Sequence, residues 1–283
     1  MPASRPPAVP GLPDPGRCLV MGVLNVTPDS FSDGGRWFEP ADAVRHGHQL
    51  LADGADLLDV GGESTRPGAQ RPPLAEELRR VLPVVRELAA AGAVVSVDTM
   101  RAQVAERALE AGARVVNDVS GGRADPAMLR VAAQAQVPFV VMHWRRHSAD
   151  MDIAADYVDV VSDVVAELRQ QLDAALSAGI GPECLVVDPG LGFAKRADHS
   201  WALLAHLDAL LGLGHPLLIG ASRKRFLGEL LADDTGTERP SGQRDDATVA
   251  VSALAAAAGA WCVRVHEARP NADAVTVVAR CSA

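Results

Sequence analysis

The sequence predicts an α/β protein: one (β/α)8 TIM barrel preceded by a Pro-rich N-terminal tail. Three observations predict it. A pattern of amphipathic stretch, Gly and β-branched apolar run recurs along the chain, in "LLADGADLLDV", "LAAAGAVVSV", "ALEAGARVVNDV", "LSAGIGPECLVVD", "LLGLGHPLLIG" and "AAAAGAWCVRV". With "CLVMGVL" at the start and "VPFVVMHW" in the middle, about eight strands alternate with helical stretches, the order that gives a parallel sheet. Eight such units in 283 residues fit a closed barrel better than an open doubly wound sheet. No G-x-G-x-x-G follows the first strand, which argues against a dinucleotide-binding fold.

Each element has a local reason. The opening "MPASRPPAVPGLPDPG" lacks an apolar signal-peptide core and is too rich in Pro for a helix or central strand, so residues 1–16 are expected to be a disordered or loosely attached tail, with the barrel domain over 17–283. The strands, near 18–24, 56–60, 94–97, 114–118, 138–142, 184–188, 216–220 and 261–265, are short and apolar on both faces, as strands buried on both sides should be. The Gly before most of them ends a helix, because it enters the left-handed conformation without steric cost. Asp125-Pro126 is read as an N-cap with Pro at the first helical position, and Asp42 as a second cap. Three insertions are long: the first βα loop, the second ("GGESTRPGAQRPP") and "ADDTGTERPSGQRDD" in the seventh unit.

Composition narrows the function. Hydrophobic residues make up 48%, enough for a sizeable core, and the net charge is -9 without a long basic run, so nucleic acid is not an expected partner. An anion would have to meet a local cationic pocket. "VAVSALAAAAGAW" is too short and too weakly apolar to span a membrane. Cys18, Cys184, Cys262 and Cys281 show no C-x-x-C spacing and are read as buried reduced thiols of a cytoplasmic protein, not as a zinc site.

In such barrels the chemistry sits at the carboxyl ends of the strands. Here those ends carry Asn25, Asp59, Asp98-Thr99, Asn117-Asp118, Met142-His143, Asp188, the segment "GASRKRF" with Gly220, Ser222, Arg223 and Lys224, and "RVHE" with Arg264 and His266. Any one of them has a plain explanation. Asp59 and Asp118 can be read as holding neighbouring loops through backbone hydrogen bonds, and His46, His48, His199 and His206 as packed side chains. Together they converge on one mouth, which is costly without a ligand. Asp98, Asn117 and Asp188 offer acceptors and donors suited to a flat, nitrogen-rich heterocycle. Lys224, Arg264 and His266, on neighbouring strands, suit phosphate, and the oxygen of Asn25 suits a Mg²⁺ that also holds phosphates. The polar first loop "NVTPDSFSDGG" then reads as a binding loop at that mouth.

"NVTPDSFSDGG", "GGESTRPG", "VDT", "NDVSGG", "DPGLGFAK", "GASRK" and "RVHE" resemble, in order, the signature segments of the dihydropteroate synthase family, over nearly all of the chain from about residue 17. "RVHE" followed by Ala268 is a mild departure from the family's usual "RVHDV". The resemblance implies a transferase that joins 6-hydroxymethyl-7,8-dihydropterin diphosphate to p-aminobenzoate in folate biosynthesis, is the target of sulfonamides and uses Mg²⁺. It implies pterin contacts from Asp98, Asn117, Asp188 and Lys224, with Met142 and Gly220 also in the substrate site. Diphosphate contacts would come from Arg264, His266 and Asn25, the last also ligating Mg²⁺. Thr65 and Arg66 would join from the second loop, and Phe193, Lys224 and Ser222 would border the aminobenzoate; the first loop would close over the site as a lid, with Gly34 and Gly35 as a hinge and Pro28 and Phe31 as a wall. It further implies a homodimer, with "TVAVSALAAAA" and "ADAVTVVAR" as the interface. Two rivals, a methyltetrahydrofolate-dependent methyltransferase and a non-catalytic pterin-binding paralogue, would not keep both loops and the whole cationic set.

Overall fold

The computed structural model describes residues 8–27, 40–63, 71–145 and 155–282. Its eight parallel strands are β1 (Leu19–Asn25), β2 (Leu57–Gly61), β3 (Val95–Asp98), β4 (Val115–Asp118), β5 (Phe139–Met142), β6 (Leu185–Asp188), β7 (Leu218–Ile219) and β8 (Cys262–Val265). They pair in the ring order β6-β5-β4-β3-β2-β1-β8-β7. A parallel bridge between Val187 and Leu217, with the Val187 amide donating to the Pro216 carbonyl at 2.9 Å, brings β6 to β7 and closes the barrel.

The helices are α1 (Pro40–Ala52), α2 (Leu74–Ala90), α3 (Ala102–Glu110), α4 (Met128–Ala135), α5 (Val160–Ser177), α6 (Ala197–Ala205), α7 (Leu207–Leu211), α8 (Arg225–Leu230), α9 (Asp245–Ala258) and α10 (Ala268–Ser282). The six glycines of the recurring pattern (Gly54, Gly92, Gly112, Gly179, Gly214 and Gly259) all have positive φ, between 79° and 111°. Each turns the chain out of a helix and into the next strand, as the sequence predicts. After α4 the same turn is made by Gln136 at φ 51°, which is why that unit shows no Gly signal.

Residues alternate along the strands between two cores. Leu19, Met21, Leu57, Val115, Val140, Val186, Leu218 and Cys262 fill the barrel, while Val20, Leu58, Val97, Val116, Val141, Val187 and Val263 face the helices. The barrel cluster also contains Val9, which is 3% exposed. Residues 8–16, expected to be a loose tail, therefore seat one side chain in the floor of the barrel; burial of an apolar side chain offsets the chain entropy lost there. Residues 1–7 lie outside the described part.

Other local expectations are refined. α4 begins at Met128, and Asp125 accepts from the amides of both Ala127 (3.0 Å) and Ala102 (2.9 Å), so it caps the start of α3 as well as its own turn. Asp42 lies in the first turn of α1 and pairs with Arg45. Cys18, Cys184 and Cys262 are buried free thiols, whereas Cys281 is exposed. His199 is buried, but His48 and His206 are exposed rather than packed. Among the described residues, no helix is long and apolar enough to cross a membrane.

Candidate active site at the carboxyl ends of the strands

Strand register places the polar residues in layers. Asn25 is paired with Gly61, Gly61 with Asp98 and Asp98 with Asn117, so four neighbouring strands contribute to one level of the mouth. Met142 and Asp188 are paired in the same way on β5 and β6. Gly61 matters by having no side chain: a Cβ there would lie 3.6 Å from both Asn25 Oδ1 and Asp98 Oδ2. Gly220 leaves comparable space beside Asp188 and Arg264 at the end of β7.

One cluster joins β2, β3, β4 and β8. Arg264 donates from Nε to Asp59 Oδ2 at 2.6 Å and from Nη2 to Asp98 Oδ2 at 2.7 Å. Asn117 Nδ2 donates to the same oxygen of Asp59 at 2.8 Å. Asp59 is fully buried, and its Oδ1 meets no donor among the described residues. Burial pushes the Asp98 carboxyl upward, opposed by the Arg264 guanidinium and reinforced by the charge of Asp59. Asp59 therefore belongs to the floor of the site and does not hold a loop. Its partner is 205 positions away in sequence, and nothing in its local spacing marks the pairing. Asp118, by contrast, does hold a loop, accepting from the Ser120 amide and hydroxyl and the Gly122 amide at 2.7–2.9 Å.

On the other side, Asp188 is 6% exposed and accepts from the Gly190 amide at 2.7 Å; burial raises its pKa, while Lys224 lowers it. Lys224 donates to the Leu191 carbonyl and lies 4.7 Å from the centre of the Phe193 ring. Burial lowers the Lys224 ammonium to about 8. Ser222 Oγ is 2.8 Å from His266 Nδ1 and accepts from the His266 amide at 3.2 Å. Between Ser222 and Lys224 the backbone turns left-handed, with Arg223 at φ 59°. Arg223 pairs with Asp245 at 2.7 and 2.9 Å and with Glu267 at 2.7 Å. The seventh and eighth loops are thus joined twice, by Ser222–His266 and by Arg223–Glu267. Thr65 and Arg66, and Pro28, Phe31, Gly34 and Gly35 of the first loop, lie outside the described residues.

The structure brings together Asn25, Asp98 and Asn117 in one layer, Met142 beside Asp188, and Phe193, Gly220, Ser222, Lys224, Arg264 and His266 around them. Arg264, expected from sequence on the phosphate side, is hydrogen-bonded to Asp98, expected on the heterocycle side.

Residues 21–266 match a family model described as pterin binding enzyme. The chain is 58% identical over 260 residues, 92% of each chain, to the dihydropteroate synthase of Mycobacterium leprae (strain TN). The chain belongs to the dihydropteroate synthase family. Among solved structures, it superposes on Xanthomonas albilineans dihydropteroate synthase with 4-aminobenzoic acid, with a TM-score of 0.86, 47% identity and 94% of both chains covered. The same enzyme in complex with 7,8-dihydropteroate gives a TM-score of 0.83 at 44% identity, again over 94% of both chains.

Proposed function

We propose that the protein is a dihydropteroate synthase, condensing 6-hydroxymethyl-7,8-dihydropterin diphosphate with p-aminobenzoate to give 7,8-dihydropteroate and diphosphate. The observation that carries this is the mouth itself: two buried carboxylates and an amide, Asp98, Asp188 and Asn117, share it with Lys224, Arg264 and His266.

The chemistry follows from the groups present. The pterin ring presents N–H and amino donors, which Asp188 and Asp98 accept, and a carbonyl that Lys224 meets; Asn117 can donate and accept at once. Arg264 and His266 offer donors to the diphosphate as the bond from the exocyclic methylene to oxygen breaks, its electron pair leaving with diphosphate. The electron-rich pterin spreads the positive charge left on the methylene. The arylamine lone pair then forms the C–N bond, and the extra amine proton passes to water. No strong base is required, because an aniline is nucleophilic in its neutral form.

Asn25 is the residue that would hold a Mg²⁺, since its Oδ1 reaches the mouth beside Gly61, where no side chain crowds it. Bound there, the ion would supply positive charge to the departing diphosphate. Homodimerisation through α9 and α10 is supported by Leu254 and Val277, which are 69% and 62% exposed on those adjoining helices. A cytoplasmic location accords with three buried free thiols.

The test is direct. Purified protein with both substrates and Mg²⁺ should form dihydropteroate and diphosphate in equal amounts, measured by mass spectrometry and a phosphate assay. Absence of product under conditions in which the Mycobacterium leprae enzyme is active would overturn the proposal.

A further inference from the structure

The sixth βα loop, "PGLGFAK", is held in an unusual backbone path. Gly190, Gly192 and Ala194 all have positive φ (64°, 73° and 48°), and Ala194 is not a glycine. A Cβ at Gly190 would lie 2.4 Å from the His143 carbonyl, so the loop passes tightly against the end of β5. Such a path needs outside support.

Side chains supply it. The Leu191 carbonyl accepts from Lys224, the Phe193 carbonyl from Lys195 at 3.1 Å, and the Ala194 carbonyl from the Tyr157 hydroxyl at 3.1 Å. Lys224 belongs to the mouth, but Lys195 and Tyr157 lead away from it to one residue on α5. Lys195 is 9% exposed and its Nζ is 2.8 Å from His143 Nδ1, and His143 Nε2 is 3.0 Å from Glu167 Oε2. Tyr157 lies under the Arg145 guanidinium at 3.8 Å, and Arg145 Nη2 donates to Glu167 Oε1 at 2.5 Å. With Lys195 donating, His143 must accept at Nδ1 and carry its proton on Nε2, where Glu167 receives it. Glu167 therefore fixes the imidazole tautomer and anchors both arms.

We propose that Glu167 is a positioning residue for the second substrate: through His143–Lys195 and Arg145–Tyr157 it holds the sixth loop so that the Phe193 ring walls the aminobenzoate position. This rests on the reaction proposed above. The arms make no hydrogen bond to Asp59, Asp98 or Arg264, and they approach the pterin side only where the charge of Lys195 faces Asp188. They also explain a buried lysine and a buried histidine that the chemistry does not use.

Steady-state kinetics of Lys195→Met, Glu167→Gln and the milder Tyr157→Phe test it. The expected result is a rise in KM for aminobenzoate of about tenfold or more in Lys195→Met, as small misplacements of positioning groups produce, with a much smaller rise in KM for the pterin diphosphate from the lost charge beside Asp188. Glu167→Gln should shift the same KM, and Lys195→Met should add little in the Glu167→Gln background, because both act through one chain. Val9→Ala, in the barrel floor, serves as a comparison for general destabilisation and should leave the ratio of the two KM values alone. Both KM values rising by the same factor, or neither changing in any folded variant including Tyr157→Phe, would overturn the proposal. Wild-type protein that forms dihydropteroate while these ratios stay fixed removes this role for Glu167 but not the activity; wild-type protein that forms none removes the activity.

Discussion

The guanidinium of Arg264 donates to the carboxylate of Asp98 at 2.7 Å and joins β8 to β3 across the barrel mouth. The two residues are 166 positions apart, and each was expected to meet a different part of the substrate. Their contact means that a ligand arriving over Asp98 finds the carboxylate already aligned by a fixed cation. Asp98→Asn keeps the shape and removes the charge, and the same holds for Asp188→Asn. Each should weaken a pterin analogue by about 1–3 kcal/mol, the cost of an unmade buried hydrogen bond. Isothermal titration with the analogue reads this directly, and full affinity in both variants would remove them from the pterin site.

Arg264 and His266 should separate by ligand. Arg264→Met strands Asp59 and Asp98 as buried unpaired carboxylates, so it should weaken the bare hydroxymethylpterin as well as its diphosphate. His266 sits on the Ser222 side of the mouth, with its Nδ1 2.8 Å from the Ser222 hydroxyl, so His266→Ala should weaken the diphosphate and spare the bare pterin. Competition binding with the two ligands decides it; equal losses in His266→Ala would show that the imidazole does not face phosphate.

Arg223 carries a left-handed backbone as well as two ion pairs. Replacement by Ala or Gly removes the same guanidinium, but only Ala retains the steric cost of φ 59°, roughly 1 kcal/mol. Arg223→Gly should therefore unfold at a higher urea concentration than Arg223→Ala. The reverse order would show that the left-handed turn relaxes once the ion pairs are gone.

Lys195 should leave a signature in alkaline stability. Burial first, then the charge of Lys224, lowers its ammonium to about 7 from an ordinary 10.5. Asp188, His143, Glu167 and Arg145 also surround it, the two carboxylates opposing the shift. Between those two values the unfolded chain holds a proton that the folded chain has released. Stability therefore rises with pH through this window, by at most about 1.4 kcal/mol per pH unit. Lys195→Met lacks the term, so the stability of the wild type relative to this variant should climb from pH 7 to pH 9 in chemical denaturation. A flat difference would mean that Lys195 stays charged in the fold.

Much of this was legible because local rules and global architecture coincide. The helix–Gly–strand pattern works at Gly54 or Gly259 because only the left-handed turn lets a helix lead into the neighbouring strand. The strand-end polar residues could be picked out because a barrel gathers all its carboxyl ends at one mouth. What escaped depends on distance in sequence. Asp59 looks like a loop holder until Arg264 is seen beside it, and Glu167 sits in the middle of an ordinary amphipathic helix, with no neighbour in sequence to mark its contact with His143. Val9 escaped for another reason: the prolines around it signal an irregular chain, and irregular chain can still bury one side chain.

Val9 also gives the molecule a direction. It joins the barrel core among residues that begin the strands, such as Leu19, Leu57 and Val115, so the segment leading into the domain emerges on the face opposite the mouth. A surface, a bead or a fluorophore attached at residue 8 would hold the protein by its base, with the substrate entrance turned towards solvent and small molecules free to reach it. A protease cut beyond Val9 would loosen the barrel from below.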